Sequence, residues 1–212
     1  CYYNFVKENI LLNNYIGINI NNAHNNSIIE NDINLTTYTG ILIANAVNNS
    51  IYKNTILNTE GTGIRFSTNA IENIIYENLI SDSDYGIYLF NADGNTFYEN
   101  TILNCTIRGV MAQTGSDNNL FYKNFFLNNT IHVYDQSGTN FWNNSEIGNY
   151  WDNYTGSDSN NDGIGDTLWK FPGGTDYLPI WDDSAPLITI TSPSNDTRLG
   201  FEVPNFNVEI QD

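Results

Sequence analysis

The sharpest chemical pattern in the chain is the run Asp158-Ser-Asn160-Asn-Asp162-Gly163-Ile164-Gly165-Asp166. Oxygen side chains stand at loop positions 1, 3, 5 and 9, a Gly at 6 and a backbone carbonyl, that of Ile164, at 7. A tight loop with this spacing aims alternate oxygens inward, which suits a hard cation such as Ca²⁺. Position 12 departs from the pattern, because Trp169 stands where a bidentate Glu would, and Asp152 or Asp176 would have to supply a missing ligand. Three carboxylates within nine residues also repel one another unless a cation intervenes. The expectation is a structural Ca²⁺ on Asp158, Asn160, Asp162, Ile164 and Asp166, and the competing reading is an Asx-turn-rich acidic loop without metal.

A second candidate is aromatic. Tyr52, Tyr76, Tyr98 and Tyr122 recur at spacings of 22 to 24 residues, each directly after an apolar residue (Ile51, Ile75, Phe97, Phe121). Strand alternation turns the tyrosines outward if the apolar neighbours are inward, so they would form a strip with a period of about 4.8 Å. Such a strip could carry sugar rings, or it could be an aromatic ladder that stabilises a sheet. Arg65 and Arg108, with Glu60, Asp82 and Asp84 nearby, make a weaker constellation for polysaccharide cleavage, and solvated turn charges explain them as well. The soft metal ligands are His24, His132, Met111, Cys1 and Cys105, scattered along the chain where copper needs them clustered.

The elements that must position these residues are repeats. Asn9, Asn31, Asn54, Asn78, Asn100 and Asn124 are spaced by 22 to 24 residues, and each is preceded five residues earlier by Asn4, Asn26, Asn49, Asn73, Asn95 or Asn119. Large apolar residues follow two positions after (Leu11, Ile33, Ile56, Ile80, Ile102, Phe126). Glycines recur every 23 residues at Gly17, Gly40, Gly63, Gly86 and Gly109, with His132 in the next slot. Each unit holds short β-branched, alternating runs and no helical stretch. The fold expected is all-β: a right-handed single-stranded parallel β-helix, or solenoid, of about six to seven coils, with a C-terminal calcium-loop cap. Asn makes up 38 of the 212 residues, an excess explained by tolerance of left-handed bends and by amides stacking coil on coil.

Seven Lys and Arg against 24 Asp and Glu leave a net charge of −17, which excludes sequence-independent nucleic-acid binding and an anionic membrane surface as partners. No apolar run is long enough to span a bilayer. Eight Asn-x-Ser/Thr sequons permit glycosylation outside the cell, although the abundance of Asn alone yields many of them.

The phased pattern of Asn, Ile/Phe, Tyr, Glu/Lys, Asn followed by Gly-Ile resembles the repeats of carbohydrate-binding β-helix proteins and sugar hydrolases. Residues 128–180 resemble the last coil and closure of NosD-like proteins, and the acidic loop is similar to those of dockerin and type-3 thrombospondin repeats. The resemblance covers residues 4 to about 181 and implies a secreted or surface protein. A copper role is not implied without ligands.

The expected organisation is repeats over 1–147, a Trp-rich cap over 148–181, and a linker with the first strands of an immunoglobulin-like domain over 182–212, part of a longer architecture. The function expected is an extracellular or cell-surface scaffold, structural or adhesive, with polysaccharide or cell-surface glycans as partners. A polysaccharide lyase or glycoside hydrolase is the alternative.

Overall fold

The computed structural model describes residues 3–181, together with the strands Thr189–Ile190 and Val208–Glu209. Backbone proximity divides the chain into Cys1–Trp181 and Asp182–Asp212. In the second unit Thr189 pairs with Glu209 and Ile190 with Val208, antiparallel. The rest of the segment expected to begin an immunoglobulin-like domain, and Cys1, lie outside the described residues.

The first unit is a parallel β-helix of about six coils, and the described residues contain no helix. Its first face is a six-stranded sheet of Phe5–Lys7, Ser27–Ile29, Ser50–Tyr52, Ile74–Tyr76, Thr96–Tyr98 and Leu120–Tyr122. The second face stacks Ile10–Leu12, Asp32–Asn34, Thr101–Leu103, Phe125–Leu127 and Tyr150–Trp151, and the third stacks Ile16–Asn21, Thr39–Ala44, Arg108–Ala112 and Val133–Asp135. Thr55–Ser67 and Leu79–Leu89 run through both of these faces and join them into one sheet. Pairing is in register, so that Ile28, Ile51, Ile75, Phe97 and Phe121 form one inward column. Burial alternates as the pleat requires, with the middle residue of each short strand on the first face inward and its neighbours outward.

Turns between the first and second faces depend on Asn, through hydrogen bonding. In one column Asn9, Asn31, Asn54, Asn78, Asn100 and Asn124 each donate both the backbone N–H and the side-chain Nδ2 to Oδ1 of the Asn one coil on, at 2.9–3.1 Å. A second column repeats the pattern from Asn4 to Asn140. The left-handed bend expected of these asparagines falls instead on the residue before each: Glu8, Glu30, Lys53, Glu77, Glu99 and Lys123 have φ of 53–56°. L-residues other than Gly and Asn take that conformation at a cost of about 1–2 kcal/mol, so the ladder overrides local preference at every coil.

The glycine column has a different cause. A Cβ on Gly40 would lie 2.7 Å from the carbonyl oxygen of Gly63 and 2.5 Å from Cγ2 of Ile56. Each coil there passes too close to the next for a side chain. His132 fills this slot on the last repeat, where no further repeat presses on it, and its buried ring lies beside Phe126 and Trp151.

Asn78 offers the cleanest test of the ladder, being buried in mid-stack. Asn78→Ala strands the N–H and Nδ2 of Asn54, and an abandoned buried donor costs about 1–3 kcal/mol. A loss of roughly 2–5 kcal/mol is expected in chemical denaturation. Asn78→Asp should also destabilise, since it buries a charge and loses the donors to Asn100. An unchanged midpoint for both variants would show that the amide stack adds nothing to stability.

Candidate functional site

The acidic loop departs from its expected role. Asp158 accepts hydrogen bonds from the N–H of Gly163 (2.8 Å) and Asp162 (3.3 Å), and Asp162 accepts from Ile164 N–H and from Nδ2 of Asn160, both at 2.9 Å. Asp166 accepts from Ser159 N–H (2.9 Å), Ser159 Oγ (2.6 Å) and Ser157 Oγ (3.2 Å), bonds that hold its carboxyl below the ordinary range. Asp152 is engaged by His132 and Asn128, and Asp176 is buried elsewhere. Among the described residues no three His, Cys, Asp or Glu side chains come together as metal ligands. The expected Ca²⁺ on Asp158, Asn160, Asp162, Ile164 and Asp166 is therefore withdrawn: the loop is a set of Asx turns closed on its own donors, with Gly163 at φ +81° permitting the turn.

What closes the solenoid is a pair of buried carboxylates. Each ladder passes a backbone N–H and an Nδ2 hydrogen forward to an Oδ1, so its end needs an acceptor with no N–H of its own to satisfy, which an ionised carboxylate is. Asp176 Oδ2 accepts from Asn149 N–H (2.7 Å) and Nδ2 (3.4 Å), and from the indole Nε1 of Trp151 at 3.0 Å. Asp135 Oδ1 accepts from Nδ2 of Asn140 at 3.0 Å, and its Oδ2 from Nε1 of Trp142 at 3.2 Å. The same tryptophans end the two inner stacks, Trp142 on Phe121 (4.2 Å between ring centres) and Trp151 on Phe126 (4.4 Å). Sequence reasoning noticed the tryptophans and missed this role of Asp135 and Asp176. The signal was present in the column Asn124, Asn149, Asp176, spaced by 25 and 27 residues.

The tyrosine strip is where the alternation placed it. Tyr52–Tyr76, Tyr76–Tyr98 and Tyr98–Tyr122 are stacked at 4.7, 4.9 and 5.3 Å with interplanar angles of 5°, 4° and 15°. Rings this close and parallel cover one another's faces, leaving edges and hydroxyls for a ligand. Burial raises the phenol pKa of Tyr76, Tyr98 and Tyr122. Beside the strip, Lys7 pairs with Glu30, Lys53 with Glu77 and Lys123 with Glu99 at 3.4–3.6 Å.

On the third face Arg65 lies over Tyr88 (4.5 Å from ring centre) and Tyr38 (5.9 Å), and Arg108 over Tyr134 (4.9 Å). Two of the carboxylates grouped with them bond to other partners: Asp84 accepts from Thr106 at 2.6 Å and Asp82 from Ser81. Among the described residues no carboxylate forms an ion pair with either guanidinium.

Taken together, the faces and the closed end define a capped parallel β-helix. Residues 4–156 match the family described as periplasmic copper-binding protein (NosD), and the chain belongs to that family. Its fold is similar to the crystal structure of the periplasmic alginate epimerase AlgG, with TM-score 0.54 and 24% identity over 62% of this chain and 32% of that one. A T265N T268M variant of AlgG aligns at TM-score 0.51 and 21% identity over 62% of this chain and 35% of that one. The chain thus spans about a third of the length of these structures. Among curated proteins none matches.

The described residues do not fit the copper of the family description. His24 Nδ1 accepts the N–H of Val47 at 3.1 Å, and His132 is bound to Asp152 at 2.9 Å. Burial pushes the Cys105 thiol up to about 12, which keeps it protonated and a poor ligand. Met111 is buried on the third face, and these groups do not assemble.

Asp176 makes the closure pH-sensitive. Burial pushes its carboxyl up to about 6, against hydrogen bonds from Asn149, Leu178 and Trp151 that lower it. The unfolded value is about 3.9, so between about pH 4 and 6 the folded state binds more protons than the unfolded one. This group's contribution therefore favours folding most below about pH 4 and is lost as pH rises through 6. Its size is on the order of 2–3 kcal/mol. Melting followed from pH 4 to 7 in wild type and Asp176→Asn should show this slope only in wild type; parallel curves would refute it. The variant should also be less stable at pH 7, since a single amide oxygen cannot serve both Asn149 and Leu178.

Proposed function

We propose that the chain is an extracytoplasmic, non-catalytic β-helix module that acts as a scaffold and binds a linear glycan along its first face. The observation that carries this reading is the comb of Tyr52, Tyr76, Tyr98 and Tyr122: four phenols at one-coil spacing on a rigid sheet. Hydroxyls repeated about every 4.8 Å complement a polymer that is itself a repeat. The flanking Lys–Glu pairs add donors and acceptors at the same period. Location outside the cytoplasm is supported by the periplasmic description of the family and of AlgG, and AlgG's name points to a linear sugar polymer as the kind of ligand such a fold can meet. The described residues contain no helix long and apolar enough to cross a membrane.

Replacing Tyr76 and Tyr98 by Phe keeps the ring stack and removes the hydroxyls. Retention on a glycan panel should fall at least threefold for the double Phe variant, with melting within a degree or two of wild type. The double Ala variant should lose both stability and retention. Glycan retention that survives Tyr→Phe and Tyr→Ala alike would leave the ladder as a structural device only.

A further inference from the structure

We propose that the third face carries a separate site for carboxylated sugars, in which Arg65 and Arg108, set among Tyr38, Tyr88 and Tyr134, bind the carboxylates of a uronate oligosaccharide. The distribution of cations leads to it. Lys7, Lys53 and Lys123 are each neutralised by a glutamate on the first face. Among the described residues Arg65, Arg108 and Lys170 form no ion pair, on a chain with 24 carboxylates, and of the three only Lys170 is exposed. Asp84, one coil and a few residues away, spends its oxygen on Thr106 instead.

Both arginines are half-buried, and Nε of Arg108 is buried without a hydrogen-bond partner. A buried donor of a charged group left unpaired is costly, and an incoming carboxylate would remove that cost. A guanidinium laid over an aromatic ring uses its flat face for that contact and keeps its in-plane N–H fork for an acceptor. Both guanidiniums also act on the phenol of Tyr88, whose pKa burial raises and the two cations lower, so the two cations share one neighbourhood.

Register sets the spacing. Arg65 pairs with Tyr88, and Tyr85 on that same strand pairs with Arg108, so the arginines stand two coils apart, about 10 Å along the axis. Carboxylates on separate units of one sugar chain can reach both. Net charge selects against denser polyanions: a duplex nucleic acid carries one charge per ~1.7 Å, and two arginines cannot offset its repulsion by a −17 chain. A polymer with one carboxylate per sugar, whose apolar ring faces can rest on tyrosine, suits two cations among aromatics.

Calorimetric titration of the full chain with a galacturonate hexamer and with its fully methyl-esterified form tests this. The free acid should bind and the ester should bind at least tenfold more weakly. Arg65→Gln/Arg108→Gln should weaken acid binding at least tenfold, Arg65→Lys/Arg108→Lys by less, and Tyr76→Phe/Tyr98→Phe should leave it unchanged. Arg65→Gln alone, at a side chain with no hydrogen bond to lose, serves if the double variant melts early, and should itself weaken binding at least threefold. The inference is overturned if acid and ester bind alike, if the Gln variants bind like wild type, or if millimolar acid gives no heat. Acid binding lost only in the Tyr→Phe variant would overturn it while leaving the first-face reading intact; loss only in the Gln variants is the expected result and leaves the first-face reading to its own glycan panel.

Discussion

A ladder asparagine in this fold gives its backbone N–H and one side-chain hydrogen forward, and turns Nδ2 also to carbonyls of its own coil and of the coil before. Its backbone N–H and its Nδ2 both point to the Oδ1 of the next coil, and its own Oδ1 receives the same pair from the coil before. Through the Oδ1 contacts the two columns therefore run in one direction, and from Asn26 to Asn119 and from Asn31 to Asn149 they are buried where water cannot substitute. Such a chain can be extended by any number of identical coils, but it cannot end on another asparagine without leaving amide hydrogens unpaired. Asp135 and Asp176 resolve this, because a carboxylate accepts and asks for nothing in return. Each also takes the N–H of the tryptophan that terminates the adjoining hydrophobic stack. Polar and apolar columns thus end at the same two points.

The ladder also sets what the rest of each coil can be. It fixes the rise from coil to coil, and every other column must then tolerate copies of itself at that spacing. Isoleucines do so in the early coils, and aromatic rings do so later, as Phe97 on Phe121 at 4.4 Å shows. Glycine answers the same constraint where backbones pass closest. Charged residues in left-handed turns are a consequence as well: Glu77 and Lys53 occupy a conformation they do not favour because the residue after each must be the ladder asparagine.

Much of this was legible in the sequence because a solenoid writes its contacts at a constant spacing. Asn78, Gly63 and Tyr76 can each be assigned a column, and the inward or outward sense of the tyrosines follows from the Ile and Phe beside them. The acidic loop was misread for a reason that spacing cannot remove. Oxygens at alternate positions suit a cation and equally suit Asx turns, and the choice depends on where the loop's N–H groups point, as Gly163 to Asp158 and Ile164 to Asp162 show. Asp135 and Asp176 escaped because the repeat breaks down at the closure, where a chain end replaces periodicity with a single three-dimensional fit. The arginines were visible as residues, but their pairing with rings on neighbouring coils rests on χ angles that no column records.

Those constraints also indicate where function can be written. An inward column is committed to stacking, a ladder column to hydrogen bonding, and the glycine column to backbone contact, so none of them can change to suit a ligand. Only outward strand positions and turn side chains are free, and most of these satisfy each other within the fold: tyrosine on tyrosine, lysine beside glutamate, threonine on aspartate. An outward group that is not satisfied in this way stands out against that background. Arg108, with a buried Nε that has no hydrogen-bond partner and with no ion pair among the described residues, is such a group, and Arg65 over Tyr88 is its neighbour. That incompleteness is the ground of the carboxylate site we propose on the third face.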